Sequence, residues 1–148
     1  MNKNILIYDD DKEILFLCKA ILQKYAYTVQ TLSRCEDIVN DVSRIKPDLV
    51  LMDLWIPEIG GEQAVALAKA NEATKHVPIL LFSANANIEE IYKKVNADGY
   101  ISKPFDVKSF IGIIQNQLAW ILNCSKSNCW NGFNSNIWKN TEGSDLRH

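Results

Sequence analysis

The sequence lacks the features that define several classes of protein. No apolar run is long enough to cross a bilayer, and the chain begins with a short strand-like segment rather than a signal peptide. A net charge of −2, with scattered Lys and Arg residues, gives no basic surface to attract nucleic acid. We therefore expect a cytoplasmic protein that contacts neither nucleic acid nor a membrane directly.

Cysteine and histidine are also scarce. The chain has four Cys and two His, and Cys124 and Cys129 lack the second pair of Cys or His ligands that a structural zinc site needs. Cys18 lies among the apolar residues of a helical pattern, where a reduced thiol behaves as a small hydrophobe. The sequence thus predicts neither structural zinc nor a disulfide framework.

What remains is the composition of one globular domain. The 148 residues are 47% hydrophobic and 23% charged, which is typical of a domain with its own core. We predict this domain over residues 1–122. From Asn123 onward Asn, Ser, Lys and Gly dominate, which predicts a tail over residues 123–148 that is flexible or a non-native addition. The alternative is a short docking segment whose apolar residues share one helix face: Trp130, Phe133, Ile137 and Trp138.

Short apolar runs alternate with helical patterns throughout the predicted domain. The runs predict strands at residues 4–8, 27–32, 49–52, 77–82 and 99–102. Apolar residues three and four apart predict helices at residues 14–22, 38–45, 62–70, 88–95 and 110–121, the first with Asp11 as its N-cap. The predicted apolar stripe of the first helix is Ile14, Leu15, Leu17, Cys18, Ile21 and Leu22, and that of the last is Phe110, Ile113, Ile114, Leu118 and Ile121. Because several strands are apolar throughout, we predict an α/β three-layer sandwich: a five-stranded parallel sheet with helices on both faces.

Polar residues stand where four of these strands end. Asp9 and Asp10 follow the first strand, Asp53 the third, Ser83 the fourth, and Lys103 comes just after the fifth. Ligands of parallel sheets bind outside the carboxyl ends of the strands. We therefore expect three carboxylates, one hydroxyl and one ammonium to meet in a single pocket.

This set of groups suits phosphoryl transfer. Clustered carboxylates repel one another unless a cation is present, and Mg²⁺ prefers a few carboxylates together with waters and phosphate oxygens. The ammonium of Lys103 and the hydroxyl of Ser83 can bind phosphoryl oxygens. Since phosphoryl transfer needs mainly positioning and charge neutralisation, these groups suffice without a histidine base.

Four stretches of the sequence resemble the receiver domains of bacterial two-component response regulators. The stretches are ILIYDDD (5–11), DLVLMDLWIP (48–57), LFSA (81–84) and GYISKPF (99–105), and they follow the family's order and spacing over residues 3 to about 122. The resemblance implies a flavodoxin-like fold with strand order 2-1-3-4-5, of which a chemotaxis receiver is a known example.

The resemblance also implies the roles of the site residues. Asp53 would be the phosphoacceptor, and Mg²⁺ would be held by Asp9, Asp10, Asp53 and the backbone carbonyl of Trp55. The domain would be a regulatory switch that catalyses only its own phosphorylation and dephosphorylation, not a turnover enzyme. Its phosphoryl donor would be a sensor histidine kinase or a histidine phosphotransfer protein.

The output of such a switch depends on a second pair of residues. Ser83 and Tyr100 match the family's switch pair, which on phosphorylation remodels the face built from helix 4, strand 5 and helix 5. This face would bind a downstream protein target, and the resemblance further implies a cis peptide bond before Pro104. The sequence leaves a homodimer open.

Two alternatives share parts of this pattern. A haloacid-dehalogenase-like phosphatase also uses an aspartate nucleophile and Mg²⁺, and the spacing of Asp9 and Asp11 fits it, although the following Lys12-Glu13 does not resemble its usual continuation. A pseudo-receiver would have the same fold and serve only as a binding module, but the intact Asp53 argues against this.

The sequence departs from the common receiver pattern in three respects, two of which concern Gly60 and the region after the last predicted helix. Gly60 stands where an acidic residue is frequent, which predicts a more flexible loop after the acceptor. No segment that reads as an output domain follows the last predicted helix, so the sequence leaves the downstream action open.

Trp55 is bulkier than is usual two positions after the acceptor, where side chains can screen attacking water. We therefore predict slow self-dephosphorylation of the native chain and faster loss of the phosphoryl group from a Trp55→Asn variant. The decay of the phosphorylated species, followed by intact mass, measures both rates. An unchanged rate in the variant would contradict the screening role.

Overall fold

The computed structural model describes the backbone of residues 2–124 and the side chains of residues 2–119. Strands and helices alternate in the predicted order, and the described residues form five of each. Their bounds are β1 (Asn4–Tyr8), α1 (Lys12–Lys24), β2 (Thr28–Leu32), α2 (Ile38–Ile45), β3 (Leu49–Met52), α3 (Gly61–Ala70), β4 (Ile79–Ser83), α4 (Ile88–Lys94), β5 (Gly99–Ser102) and α5 (Val107–Cys124).

The strands form one parallel sheet in the order β2-β1-β3-β4-β5. The predicted flavodoxin-like order is therefore confirmed. Because crossovers between parallel strands are right-handed, the step from β1 to β2 places α1 on one face of the sheet. The steps from β2 to β3, from β3 to β4 and from β4 to β5 run across the sheet in the opposite direction, so they place α2, α3 and α4 on the opposite face.

The central strands are buried on both faces, which explains why they read as continuous apolar runs. Alternate strand residues pack against α2, α3 and α4 in one buried cluster, which includes Leu6, Tyr8, Val50, Met52, Ile79, Leu81, Ile38, Val42, Val65 and Ala68. Tyr8 has the only hydroxyl among the members of that cluster, and it donates a hydrogen bond to Asp41 Oδ2 on α2 at 2.7 Å. The residues of β1, β3 and β4 that point to the other face of the sheet are fully buried as well: Ile5, Ile7, Leu49, Leu51, Leu80 and Phe82.

The first helix follows its predicted pattern with one exception. Asp11 caps α1, since its carboxylate accepts from the N–H groups of Glu13 at 2.9 Å and Ile14 at 3.4 Å. Leu17 was expected in the apolar stripe, but it lies off the buried face and is 47% exposed. Cys18 is a free, fully buried thiol, and burial raises its pKa to about 12. The buried face of α1 consists of Leu15, Cys18, Ile21 and Leu22.

The chain divides after Pro104 into two compact units. The first unit contains the whole sheet and α1 to α4, and the second begins at Phe105 and contains α5. In α5 the predicted Phe110, Ile114 and Leu118 are buried and Ile113 is only partly so, whereas Ile111, absent from the predicted stripe, is buried. The side chain of Ile121, also in the predicted stripe, lies outside the described residues. None of the described helices is long and apolar enough to cross a membrane. The predicted docking segment with Trp130, Phe133, Ile137 and Trp138 lies outside the described residues, as does nearly all of the predicted tail.

Gly61 at the start of α3 has no room for a side chain. A Cβ there would lie 2.4 Å from the Asp53 carbonyl oxygen and 2.7 Å from Leu54 Cα. We expect Gly61→Ala to lower the free energy of unfolding by about 1–3 kcal/mol, because the backbone after β3 must shift. In the control Gly112→Ala, where a Cβ meets no heavy atom within 4 Å, it should instead rise by about 0.5–1 kcal/mol. Urea unfolding measures both, and an unaltered Gly61→Ala protein would contradict the prediction.

Candidate functional site

The carboxyl ends of the strands surround a pocket of about 530 Å³ in the first unit. The connections after β1, β3, β4 and β5 each contribute side chains to it. The lining residues are Asp9, Asp10, Asp11, Asp53, Trp55, Ser83, Ala84, Asn85, Ala86 and Lys103. The structure thus brings together every residue predicted from the strand ends, and Trp55 with them.

The two acidic residues after β1 lie in different environments. Asp9 is fully buried, and its carboxylate accepts from the backbone N–H of Asp11 at 2.9 Å and from Lys103 Nζ at 2.5 Å. Asp10 is exposed on the pocket wall. Asp9 is therefore paired inside the protein, as buried charges usually are, whereas the carboxylate of Asp10 faces solvent.

Asp53 completes the acidic cluster from the neighbouring strand. Its side chain is nearly buried, and its backbone N–H donates to the carbonyl of Tyr8 at 2.9 Å, which ties the end of β3 to the end of β1. One carboxylate oxygen from each of Asp9, Asp10 and Asp53 can be chosen so that the three lie within 4.8 Å of one another. Three oxygen donors at this spacing are a ligand set that hard divalent cations accept.

The pKa of Asp53 reflects its burial and the charges around it. Burial raises the pKa of its carboxyl to about 6, and the negative charge of Asp9 adds to the shift. The ammonium of Lys103 and the N–H of Trp55 oppose it, because both favour the charged carboxylate. A cation in the pocket would stabilise the carboxylate further.

Lys103 joins the two sides of the pocket. Its Nζ lies 3.9 Å from Asp53 Oδ1, farther than from Asp9, and 4.5 Å from the centroid of the Phe82 ring. Its backbone N–H donates to the carbonyl of Ser83 at 2.9 Å, so β5 and its continuation hold the lysine beside β4. The peptide bond that links it to Pro104 is cis, as the resemblance implied.

The predicted switch residues lie in different places. Ser83 is buried at the end of β4, and its Oγ accepts from the N–H of Asn85 at 3.2 Å. Tyr100 is half-buried in β5, and its ring centroid is 5.1 Å from that of Tyr92 on α4. Tyr100 is not one of the residues that line the pocket.

Sequence reasoning missed two contributors to the site. Asn85 lines the pocket, and its Oδ1 accepts from the N–H of Asn87 at 2.8 Å, which shapes the turn into α4. Gly61 packs against the Asp53 carbonyl, and the adjacent Gly60 has a positive φ of 79°. The Gly-Gly pair was the signal for a close backbone approach there.

Fold and site together define a doubly wound α/β domain with a carboxylate cluster and a lysine at the carboxyl edge of its sheet. The family model of the response regulator receiver domain matches residues 5–115. Among curated proteins, the polar-differentiation response regulator DivK of Brucella ovis is 32% identical over 123 residues, which cover 80% of this chain and 98% of that protein. The chain belongs to the response regulator receiver domain family.

Two solved structures have a similar fold. The receiver domain of a sensor histidine kinase from Pseudomonas aeruginosa, which has a magnesium ion coordinated in its active site cleft, superposes with a TM-score of 0.73 at 25% identity, covering 80% of this chain and 99% of that one. The chemotaxis response regulator CheY4 of Vibrio cholerae has the same fold, with a TM-score of 0.72 at 23% identity over 78% of this chain and 98% of its own.

Membership places the chain in two-component signalling, where receiver domains are regulatory and interact with histidine kinases or phosphotransfer proteins. Neither alternative gains support. Asp11, which a haloacid-dehalogenase-like phosphatase would need beside its nucleophile, is engaged as the N-cap of α1. The acidic cluster that a pseudo-receiver would not require is complete.

The raised pKa of Asp53 predicts a pH-dependent stability in metal-free buffer. The folded pKa of about 6 exceeds the ordinary 3.8, so the folded state becomes less stable as pH rises through that window. Asp53→Asn should therefore raise the free energy of unfolding by up to about 3 kcal/mol at about pH 8, and by only about 1 kcal/mol at about pH 4.5. Urea unfolding at the two pH values tests this, and equal stabilisation at both would show that packing, not charge, is responsible.

Proposed function

We propose that this domain is a phosphorylation-dependent switch of a two-component phosphorelay, and that it accepts a phosphoryl group from a phosphohistidine onto Asp53. The observation that supports this most directly is the carboxylate cluster of Asp9, Asp10 and Asp53, within 4.8 Å, together with an ammonium 3.9 Å from the acceptor. Acceptor, cation ligands and positive charge thus occupy one pocket.

The transfer needs few protein groups. An Asp53 carboxylate oxygen attacks the phosphorus of the phosphohistidine, a P–O bond forms as the P–N bond breaks, and the imidazole leaves with the bonding electron pair and takes up a proton. Asp53 needs no general base, because at neutral pH its carboxylate is largely ionised, given a pKa of about 6. Trp55 N–H favours the charged form and orients it.

The residues present fit Mg²⁺. Asp9, Asp10 and Asp53 would hold it, with the backbone carbonyl of Trp55 as a fourth protein ligand. Bound Mg²⁺ would neutralise the charge of the incoming phosphoryl group beside these carboxylates. Asp10 would hold it from the exposed side of the pocket and Asp9 from the buried side.

Lys103 can move from Asp9 toward a phosphoryl group on Asp53. It now contacts Asp9 at 2.5 Å and lies 3.9 Å from Asp53. Phosphorylation adds negative charge at Asp53, which attracts the ammonium toward the phosphoryl oxygens. Ser83 at the end of β4 can donate its hydroxyl to another of these oxygens, and both groups would then report the modification.

Ser83 and Tyr100 would carry the signal outward. Movement of Ser83 toward the phosphoryl group would empty space beside β4, and the half-buried Tyr100 ring, in contact with Tyr92 on α4, would follow. By its resemblance to the family, the domain would present the altered surface on helix 4, strand 5 and helix 5 to a downstream protein target.

The decisive experiment is incubation of the full chain with a small phosphodonor and Mg²⁺, followed by intact mass. We expect one phosphate adduct on the native chain, and none on Asp53→Asn or when a chelator removes the cation. An adduct on Asp53→Asn would contradict the assignment of the acceptor.

Two neighbouring acids provide a matched control for the cation site. Asp10→Asn removes a proposed ligand, so adduct formation should become strongly dependent on high Mg²⁺. Asp11→Asn removes the same charge one residue away, yet asparagine still caps a helix, so its dependence on Mg²⁺ should stay close to native. Equal behaviour of the two variants would point to a general charge effect instead.

A further inference from the structure

The connection between β2 and α2 contacts the backbone on both sides of the pocket. Leu32 O accepts from the N–H of Asp9 at 3.1 Å, which fixes the end of β1. Three residues later, the N–H of Cys35 donates to Pro57 O at 3.2 Å, and Cys35 O accepts from the N–H of Ile59 at 3.3 Å. One short segment, residues 32–35, therefore links Asp9 to the loop that follows Asp53.

The loop after Asp53 needs such support. Glu58 has a φ of 84°, a left-handed conformation that is unfavourable for any residue with a Cβ, and it lies between the two hydrogen bonds to Cys35. At the other end the N–H of Gly61 closes the loop onto Leu54 O at 3.1 Å. The loop is thus held at its tip by Cys35 and at its base by its own backbone.

Two side chains complete the link at the tip. Arg34 Nη2 donates to Glu58 Oε1 at 2.7 Å across 24 residues of sequence, and the same nitrogen donates to Glu36 Oε1 at 2.6 Å. Neither Arg34 nor Glu58 lines the pocket. An effect of either residue on the site must therefore pass through the loop or through the electrostatic field.

We infer that Arg34 and Glu58 are positioning residues for the cation site: their ion pair holds the loop against residues 32–35 and so sets the distance between Asp9 and the Trp55 carbonyl. This inference rests on the proposed function, because the Trp55 carbonyl is a ligand only if Mg²⁺ binds there. The loop connecting Trp55 to Glu58 is short, so a shift of its tip reaches the ligand carbonyl.

Electrostatics alone predicts that the loss of Arg34 changes the affinity for Mg²⁺ in the opposite direction. Loss of the Arg34 cation lowers the positive potential around an acidic pocket, which would strengthen binding of Mg²⁺. Loss of the ion pair releases the loop, which weakens binding. The arginine variant therefore separates positioning from charge.

The test is calorimetric titration of Mg²⁺ into the full chain and its variants at neutral pH. We expect Arg34→Gln and Glu58→Gln each to weaken binding about two- to five-fold, the range set by the strength of a surface ion pair. Arg34→Lys, which retains the charge and can still pair, should recover most of the affinity. Glu36→Gln is the matched control, because it removes the other partner of Arg34 and the same charge, and it should leave the affinity at the native value.

The outcomes separate this inference from the proposed function. Tighter or unchanged binding in Arg34→Gln, or equal weakening in Glu36→Gln and Glu58→Gln, would overturn the positioning role while the cation site stands. Absence of Mg²⁺ binding by the native chain would overturn the proposed site, and the positioning role with it. Urea unfolding of the same proteins should show that the affinity changes without a parallel loss of global stability.

Discussion

The arrangement depends on one electrostatic constraint: two carboxylates, Asp9 and Asp53, are buried at adjacent strand ends, where burial and the charge of Asp9 disfavour the charged form of Asp53. Lys103 offsets part of that repulsion, at 2.5 Å from one and 3.9 Å from the other. Burial, together with the negative charge of Asp9, still raises the pKa of Asp53 to about 6. A partly buried pocket with an excess of negative charge favours the binding of a cation.

Strand order creates this constraint. Because β1 and β3 are neighbours and β4 and β5 follow, residues 9, 53, 83 and 103 meet although the chain separates them widely. The backbone bond from Asp53 to Tyr8 and that from Lys103 to Ser83 hold the meeting points together. Neutralising Lys103 without altering the sheet would leave the acids in place and the repulsion uncompensated.

Much of this could be read from the sequence, because the relevant signals are local. Continuous apolar runs that end in Asp9, Asp53 and Ser83 identify buried parallel strands and their carboxyl ends, and Asp11 announces the start of α1. The errors arise where tertiary contacts decide. Leu17 has the right character for the core but faces solvent, and the pairing of Glu58 with Arg34 joins residues that no local pattern connects.

The pocket residues all come from strand ends and the turns that follow, and none comes from the middle of a helix. The residues that line the pocket and the residues that form the outer helical surfaces therefore occupy separate positions in the sequence. Solvent-facing residues of α1 to α4 can diverge during evolution without disturbing the carboxylate cluster, so duplicated copies of such a domain can acquire different partners while keeping the same pocket.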